Sequence, residues 1–247
     1  MDNLKIAAVI PARYASSRFP GKALAEINGK AMIARVVEAV NKCSLIDELY
    51  VATDDVRIEK AVNKTVAKPV MTSTSHRCGT DRIAEAVENI EADLIVNVQG
   101  DEPLIQAETI KKAVEPFFRE KELLMSTLKR KISAEQADNP DIVKVITDQN
   151  DYALYFSRSP VPFYRDAEKS TQQYYQHIGL YVYRKDFLIK YAAMDSTPLE
   201  KAESLEQLRA LENGFKIKVI ETDASLIGVD RREDIELVEA ELNKRNA

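Results

Sequence analysis

The segment of residues 5–22 constrains this chain more than any other part of it. It begins with the uninterrupted apolar run IAAVI at residues 6–10, which is typical of a strand buried on both faces. The apolar pattern stops at Pro11 and gives way to small residues and three cations, Arg13, Arg18 and Lys22. A loop of this kind at the end of a buried strand can present backbone N–H groups and positive charge to a polyphosphate. A basic loop that is simply solvated is the alternative interpretation.

The overall charge makes the basic loop a local feature, because the 247 residues carry a net charge of −5. That balance argues against a nucleic-acid partner. The length predicts one large α/β domain or one domain with a small appendage. Cys43 and Cys78 are too few for a disulfide framework or a zinc site, which favours a reducing cytoplasm. We see neither a signal peptide nor a membrane-length apolar segment, so we expect no membrane partner.

Strands and helices alternate through the first half of the chain. Further buried strands are predicted at residues 49–53 and 94–98, and amphipathic helices are predicted at 31–42, 56–63 and 80–90. This alternation predicts an α/β fold with a mostly parallel mixed sheet and helices on both faces. Because the carboxyl ends of parallel strands share one edge, we expect the basic loop, Thr53-Asp54 and residues 99–103 to meet there.

The second half of the chain has a less regular pattern. We predict a helix at 107–118, a helix around residues 205–211 and a last helix at 234–244. The loop 157–166 contains Pro160 and Pro162 and is not expected to be helical. Strands are predicted at 124–131, 143–147, 152–156, 177–184 and 216–222.

Two common phosphate-binding motifs are absent from the sequence. There is no GxGxxG after the first strand and no GxxxxGK[ST] anywhere. A Rossmann dehydrogenase and a P-loop NTPase are therefore disfavoured. If the loop holds phosphates, Arg13, Arg18 and Lys22 are the groups available to do so.

A carboxylate follows the third buried strand, in the sequence QGDEP of residues 99–103. Asp101 suits magnesium, which usually takes one or two carboxylates together with phosphates and waters. Gly100 strengthens this reading, because glycine permits a ligand to approach the backbone closely. The second acid is either Asp54 or Asp230, and any of these acids could instead be a cap or turn residue.

The remaining polar candidates give weaker signals. His177 opens a strand, where a structural hydrogen bond is as good an interpretation as a functional one, and His76 lies in a polar loop. No Ser-His-Asp or Cys-His spacing supports a nucleophilic mechanism. A set of tyrosines could line a polar pocket or simply pack on a strand: Tyr174, Tyr175, Tyr181 and Tyr183.

Eight segments, taken in order, resemble one family. The chain is similar from residue 6 to residue 242 to the 3-deoxy-manno-octulosonate (Kdo) cytidylyltransferases, also called CMP-Kdo synthetases. The segments are PARYASSRFPGKAL, VATDD, MTSTSHRCGTDRI, VNVQGDEPLI, YALYFSRSPVPF, HIGLYVYR, ESLEQLRALENG and IGVDRREDIE. The resemblance implies a nucleotide-diphospho-sugar-transferase-like fold over residues 1–247, with a smaller lobe for dimerisation and sugar binding at about 125–215. It also implies a homodimer in the bacterial cytoplasm, on the route to lipopolysaccharide or capsule.

The same resemblance implies roles for individual residues. Those expected to hold the CTP triphosphate are Ala12, Arg13, Arg18 and Lys22. Those expected to contact cytosine and ribose are Ser73, Gly79 and Thr80. Mg²⁺ is expected on Asp101 and Asp230, which with Arg13 and Lys22 form the implied catalytic set. The sugar acid is expected to lie among Gln99, Arg158, His177, Tyr181, Glu206 and Gln207.

The implied reaction joins CTP and Kdo to give CMP-Kdo and pyrophosphate. A cytidylyltransferase for the 8-amino form of Kdo is the nearest alternative, and Glu102 favours plain Kdo over it. A non-catalytic nucleotide-binding relative is a further alternative, against which the retained cations and aspartates argue. The chain departs from the usual pattern at Ala23, Cys78, Arg231-Arg232 and 64–68, and Cys78 could weaken a hydrogen bond to the nucleotide because a thiol is a poor donor.

Overall fold

The computed structural model describes residues 4–15, 19–76, 78–166, 168, 171–224 and 227–246. The strands are β1 (Ile6–Ala12), β2 (Glu26–Ile27), β3 (Lys30–Ala31), β4 (Glu48–Thr53), β5 (Lys68–Met71), β6 (Leu94–Asn97), β7 (Met125–Ile132), β8 (Lys144–Thr147), β9 (Ala153–Ser157), β10 (Tyr174–Arg184) and β11 (Lys218–Glu221). The helices are α1 (Met32–Asn41), α2 (Val56–Val62), α3 (Gly79–Val87), α4 (Ala107–Val114), α5 (Ala134–Ala137), α6 (Lys185–Ala192), α7 (Pro198–Glu203), α8 (Leu208–Glu212) and α9 (Asp234–Asn246).

The chain forms two compact units, one drawn from Met1–Lys111 and Ser225–Ala247 and the other from Lys112–Ala224. Residues 125–215, where the resemblance implied a smaller lobe, fall within the range of the second unit. In the described residues no helix is both long and apolar enough to cross a bilayer.

The first unit is built on a parallel sheet in the order β6-β1-β4-β5. Residues 6–10 of β1 are at most 2% exposed. Since successive side chains of a strand point to opposite faces, this burial means that both faces of β1 are covered. Helices α1 and α3 contact β1 and β4, and α2 contacts β4 and β5. The predicted α/β fold is confirmed.

The apolar stripe of α1 explains its packing. Its buried residues recur at helical spacing, as expected for the amphipathic helix predicted at 31–42: Met32, Ile33, Val36, Val37 and Val40. Before α1, the residues Asn28 and Gly29 join β2 to β3 with positive φ angles of 47° and 70°. These are the conformations that a tight two-residue hairpin requires, and Asn-Gly is the pair that adopts them most readily.

The second unit contains a mixed sheet. Strand β7 pairs in parallel with β11 and antiparallel with β10, while β8 pairs antiparallel with both β10 and β9. The register of β10 against β7 shifts between Ile178 and Val182. This bulge re-aims the side chains of the intervening residues.

Several predicted boundaries are corrected by the structure. The helix expected at 107–118 ends at Val114 and continues as a 3₁₀ turn over Glu115–Phe118, because Pro116 has no N–H to donate. Strand β10 begins at Tyr174, before the predicted residue 177. Leu205 precedes α8 rather than lying in it. Helices α5, α6 and α7 were not predicted from the sequence.

Candidate active site

The basic loop and the polar residues after β4 and β6 follow neighbouring strands of the first unit. Ala12 pairs with Thr53 at the ends of β1 and β4, and Asn97 pairs with Val9 at the end of β6. The expectation that these strand ends share one edge is therefore confirmed. Ala12 is buried at the end of β1, and Arg13 directly after it is exposed. Arg18 lies outside the described residues, so its place at this edge stays a prediction.

Gly100 is needed at this edge for a reason that differs from the expected one. A Cβ atom built on Gly100 would lie 2.7 Å from the carbonyl oxygen of Pro11. Real Cβ atoms do not approach so closely, so only glycine allows the loop after β6 to pass the end of β1. The close approach is to the chain's own backbone rather than to a ligand, and it fixes the position of the next residue, Asp101.

Lys22 brings the two predicted metal ligands together. Its ammonium lies 2.5 Å from Oδ2 of Asp101 and 3.7 Å from Oδ1 of Asp230. It also donates to the carbonyl oxygen of Val229 at 3.1 Å. Two carboxylates in one small region repel each other, and the ammonium offsets that repulsion. The structure thus brings together three residues that are far apart in the sequence.

The backbone around Val229 explains how Asp230 reaches this position. Val229 is fully buried in an apolar cluster with Ile27, Met32, Leu104 and Val238. The N–H of Val229 donates to the carbonyl oxygen of Asp101 at 2.9 Å. The carboxylate of Asp234, at the start of α9, accepts from the N–H groups of Asp230 and Arg231 at 2.8 and 2.7 Å. Apolar burial and these hydrogen bonds hold the segment beside Asp101.

Asp54, the other candidate for a second acid, has a different role. Its Oδ2 forms an ion pair with Nη2 of Arg82 at 2.7 Å, and Nη1 of Arg82 donates to Oγ1 of Thr72. Arg82 is only 3% exposed, so its charge requires a buried anionic partner. Asp54 is that partner, and Asp230 is the acid that shares Lys22 with Asp101.

The donor set at Lys22 is compatible with magnesium. The part of the chain that the structure describes contains no group of three or more His, Cys, Asp or Glu residues arranged to hold a metal. Magnesium does not need one, because substrate phosphates and waters complete its octahedron around one or two carboxylates. Asp101 and Asp230 already contact a single cation, the ammonium of Lys22, so both carboxylates can bind the same positive charge.

The polar segment before α3 is ordered by Glu85. Its carboxylate accepts from the N–H of Ser73 at 3.0 Å and contacts Nε2 of His76. The hydrogen bond from His76 is the main cause that lowers the pKa of Glu85. Arg77 lies outside the described residues. His76 therefore has a partner within this segment, the carboxylate of Glu85.

The first turn of α3 lies against the end of β1. A Cβ atom on Gly79 would lie 3.3 Å from Cγ of Pro11, and the following Thr80 is buried. The Sγ atom of Cys78 accepts from the N–H of Asp81 at 3.4 Å and so caps the helix. The thiol that could weaken a nucleotide contact thus has a role within the helix itself.

The side chains of Gln99 and Arg158 are held by hydrogen bonds to other residues of their own units. In the first unit, Nε2 of Gln99 donates to Oδ1 of Asn97 at 3.1 Å. In the second unit, the guanidinium of Arg158 donates from Nε to the carbonyl oxygen of Glu203 at 2.8 Å and from Nη1 to that of Pro140 at 3.1 Å. A guanidinium has five N–H donors, so these two bonds orient Arg158 and leave three donors for a carboxylate.

His177 and Tyr181 are neighbours on β10, with ring centroids 5.4 Å apart. Burial lowers the pKa of His177 to about 3, so its imidazole is neutral near pH 7. Burial also raises the pKa of Tyr181 well above its usual value, and the carboxylate of Glu206 adds to that effect. His177 and Tyr181 are therefore two neighbouring polar side chains, both neutral near pH 7, and Glu206 is close enough to raise the pKa of Tyr181.

Gln207 follows Glu206 at the start of α8 and is 5% exposed. Its Nε2 atom is buried and has no hydrogen-bond partner in the described structure. A buried amide without a partner costs free energy unless a ligand supplies an acceptor. The backbone beside it is fixed, since the hydroxyl of Tyr191 donates to the carbonyl oxygen of Glu206 at 2.6 Å.

Other residues that support these groups were missed by the sequence analysis. Lys144 is fully buried, and its ammonium donates to the carbonyl oxygens of Asn139, Ile142 and Arg158. Burial lowers the pKa of Lys144. Glu200 and Arg209 form a buried ion pair between α7 and α8. Nothing in the local sequence distinguishes these charged residues from surface ones.

Cations and paired carboxylates at the carboxyl edge of a parallel sheet form the kind of site that binds a metal-bound polyphosphate. A family model described as cytidylyltransferase matches residues 7–219. The solved 4-diphosphocytidyl-2C-methyl-D-erythritol synthase of Anaerococcus prevotii shares the fold, with a TM-score of 0.65 at 19% identity over 98% of this chain and 100% of that one. The chain is therefore of the cytidylyltransferase class.

Closer relatives define the family within that class. A 3-deoxy-manno-octulosonate cytidylyltransferase of Geobacter metallireducens is 50% identical over 251 aligned residues, which cover 98% of this chain and 99% of that protein. The one from Fusobacterium nucleatum is 51% identical over 237 residues, covering 95% and 96%. A solved CMP:2-keto-3-deoxy-manno-octonic acid synthetase complexed with CTP superposes with a TM-score of 0.93 at 41% identity, covering 98% and 99%. The chain belongs to the 3-deoxy-manno-octulosonate cytidylyltransferase family, as the sequence resemblance indicated.

Proposed function

We propose that this chain transfers the cytidylyl group of CTP to Kdo and releases pyrophosphate. The observation that carries the proposal is the meeting of Lys22, Asp101 and Asp230 at the edge of the parallel sheet. A relative that is 50% identical over nearly the whole chain is a Kdo cytidylyltransferase, which supports the same substrates. A non-catalytic nucleotide-binding protein has no need to keep two carboxylates on one cation.

We propose that the nucleotide binds the first unit. The backbone of Ala12 and the cations Arg13, Arg18 and Lys22 hold the triphosphate, while Ser73, Gly79 and Thr80 contact the nucleoside. Gly79 packs on Pro11 at the end of β1, which places the first turn of α3 beside the loop that carries Arg13. The first N–H groups of a helix have no partner within the helix and favour an anion.

We propose that the sugar acid is held by Gln99, Arg158, His177, Tyr181, Glu206 and Gln207. The free N–H groups of Arg158 match the Kdo carboxylate, which needs a cation. Neutral His177, protonated Tyr181 and the unpartnered amide of Gln207 supply the mixture of donors and acceptors that a polyol requires.

In the proposed reaction the anomeric oxygen of Kdo forms a bond to the α-phosphorus of CTP as the bond from that phosphorus to pyrophosphate breaks. The hydroxyl proton is lost to solvent, and negative charge develops on the departing pyrophosphate. Arg13, Arg18 and Lys22 neutralise that charge, and fixed cations are effective because they need little reorganisation. Most of the acceleration then comes from positioning and electrostatics.

Magnesium held by Asp101 and Asp230 would neutralise triphosphate charge and lower the pKa of the attacking hydroxyl. The backbone of Asp230 is held by the hydrogen bonds of Val229 and Asp234, so its position beside Asp101 does not depend on Lys22. Lys22 is then available to contact a phosphate oxygen instead of the carboxylates.

We further propose a cytoplasmic homodimer that serves the synthesis of lipopolysaccharide or capsule. Two large apolar side chains of the second unit are candidates for the interface between the copies: Leu154 is 60% exposed and Phe163 is 87% exposed. Sedimentation of the wild-type protein should give the mass of a dimer, and replacing both residues by glutamate should shift it towards the monomer. A monomeric wild-type protein would contradict this part of the proposal.

The experiment that tests the function measures pyrophosphate release from CTP and Mg²⁺ with Kdo or with its 8-amino form. We expect release with Kdo, and little with the amino sugar. Preferred use of the amino sugar would overturn the assignment of the substrate. Nucleotide binding without any pyrophosphate release would instead favour the non-catalytic alternative.

A further inference from the structure

The hydroxyl group of Thr127 lies at the centre of three polar contacts. Thr127 is fully buried on β7. Its Oγ1 atom is 3.0 Å from Nε2 of His177 and 2.9 Å from each of the carbonyl oxygens of Ile178 and Leu180. All three partners belong to β10, the strand that pairs with β7.

A hydroxyl group has one proton to donate, and this count fixes the direction of each bond. Carbonyl oxygens can only accept, so Thr127 must give its proton to Ile178 and Leu180. The contact with His177 must then run the other way, from an N–H on Nε2 to a lone pair of Oγ1. In a neutral imidazole the proton on Nε2 leaves Nδ1 as an acceptor.

The carbonyl groups that Thr127 satisfies lie in the bulge of β10. The register between β7 and β10 shifts between Ile178 and Val182, so the regular ladder of backbone hydrogen bonds is interrupted there. Thr127 supplies a donor to carbonyl oxygens within that interruption. The same bulge carries Tyr181, whose ring lies beside that of His177. One hydroxyl therefore orients two residues of the proposed sugar-binding group.

We propose that Thr127 is a positioning residue that holds His177 in the Nε2–H tautomer, so that Nδ1 presents a lone pair to a hydroxyl group of the sugar acid. That the group donating to Nδ1 is a sugar hydroxyl rests on the proposed function. The tautomer itself does not. Burial disfavours the charged imidazole and keeps the ring in the neutral form that this tautomer requires.

The tautomer is measurable because the chain has only two histidines. Long-range ¹H–¹⁵N correlation spectra of the protein labelled with ¹⁵N-histidine distinguish the two tautomers, and His76→Gln assigns the remaining ring to His177. We expect a protonated Nε2 and an unprotonated Nδ1 in the free protein. Thr127→Val removes the acceptor at nearly constant shape and should shift the ring towards the Nδ1–H form. Thr127→Ser keeps the hydroxyl and should retain the wild-type pattern.

The kinetic readout separates positioning from a merely structural role. Thr127→Val should raise KM for Kdo about tenfold or more, as expected when one hydrogen bond to substrate is lost, while KM for CTP stays within about twofold. Thr127→Ser should restore the wild-type KM for Kdo. Equal effects on both substrates would overturn the positioning role.

Other outcomes are equally decisive. An Nδ1–H tautomer in the wild-type protein would overturn the proposal even if Thr127→Val failed to fold. A wild-type protein that shows the expected tautomer but does not use Kdo would contradict the proposed function and leave the role of Thr127 in the tautomer standing.

Discussion

Lys22 is the cation that offsets the two carboxylates of the candidate active site, Asp101 and Asp230. Its side chain is 18% exposed and is shared by Asp101 and Asp230, which are 29% and 54% exposed. The contact of Lys22 with Asp101 is partly buried and is stronger than a surface ion pair, because less water screens it, whereas the contact with Asp230 is more exposed and more screened. An ammonium in this position keeps the two carboxylates together until a more strongly binding cation replaces it. The ammonium can then contact a phosphate oxygen.

Replacing Lys22 by methionine should therefore separate metal binding from catalysis. With the ammonium gone, Asp101 and Asp230 should bind Mg²⁺ more tightly in the absence of nucleotide, as titration calorimetry would show. Turnover of CTP should fall on the order of 10²-fold or more, because a cation that offsets charge on the leaving group is lost. Lys30→Met is a matched control, since Lys30 is an exposed residue paired with Glu38. Unchanged metal affinity in Lys22→Met would contradict the shared-cation interpretation.

His177 should give the protein a measurable dependence of stability on pH. Its pKa is about 3 in the folded chain, against about 6.5 when unfolded, so between these values the unfolded chain binds a proton that the folded chain does not. The free energy of unfolding contributed by this residue is therefore complete above about pH 6.5 and falls as the pH drops towards 3.

His177→Gln should remove that contribution. Between about pH 5.5 and 4 the wild-type free energy of unfolding should fall more steeply than that of the variant, by about 1.4 kcal/mol per pH unit. Urea denaturation at several pH values measures both slopes. Parallel slopes would show that His177 keeps an ordinary pKa in the folded protein.

At the scale of secondary-structure elements, the start of α3 shows how the fold accommodates Cys78, which departs from the usual pattern of the family. Cys78 caps the helix through a 3.4 Å contact from the N–H of Asp81, and sulfur is a weaker acceptor than a hydroxyl oxygen. Cys78→Ser should thus stabilise the protein by about 0.5–1 kcal/mol, since serine is among the preferred N-cap residues. Cys78→Ala is the control and should be no more stable than the wild type. Urea denaturation of the three proteins ranks them, and a serine variant less stable than the wild type would contradict the capping role.

A second prediction at this scale concerns the loop after β6, which crosses the end of β1. Gly100→Ala would place a Cβ atom 2.7 Å from the carbonyl oxygen of Pro11. We expect a loss of about 1–3 kcal/mol of stability, the usual cost of overpacking, and slower turnover because Asp101 is displaced. Gly179→Ala is the control for stability alone, since its Cβ atom would meet no atom within 4 Å but the residue lies in the bulge of β10. A fully active and stable Gly100→Ala protein would show that the contact relaxes without moving Asp101.

Some elements were predictable from the sequence and others were not, for physical reasons. The buried strands β1, β4 and β6 carry uninterrupted apolar runs, and the parallel arrangement brings their ends to one edge. Helix α5 has only four residues, yet its capping box of Ser133 and Gln136 was a readable signal that was overlooked. The bulge in β10 was not predicted either, although Gly179 inside that strand is the kind of residue that marks one.

At the scale of the whole molecule, the C-terminal segment packs against the rest of the first unit. Val229 and Val238 pack with Ile27, Met32 and Leu104, so residues from the two ends of the chain share one apolar cluster. This packing carries Asp230 to the loop that contains Lys22. From local pattern alone, Asp54 and Asp230 were equal candidates for the second acid, because neither the buried partner of Asp54 nor the apolar contacts of Val229 can be read from sequence spacing.

The most direct test of the account compares pyrophosphate release by the wild-type protein, Asp101→Asn and Asp230→Asn in CTP, Kdo and Mg²⁺. If the carboxylates that share Lys22 form the catalytic centre, the wild type releases pyrophosphate and each variant is slower on the order of 10²-fold or more. A wild-type protein that releases none, or an Asp101→Asn protein with nearly normal turnover, would contradict the account.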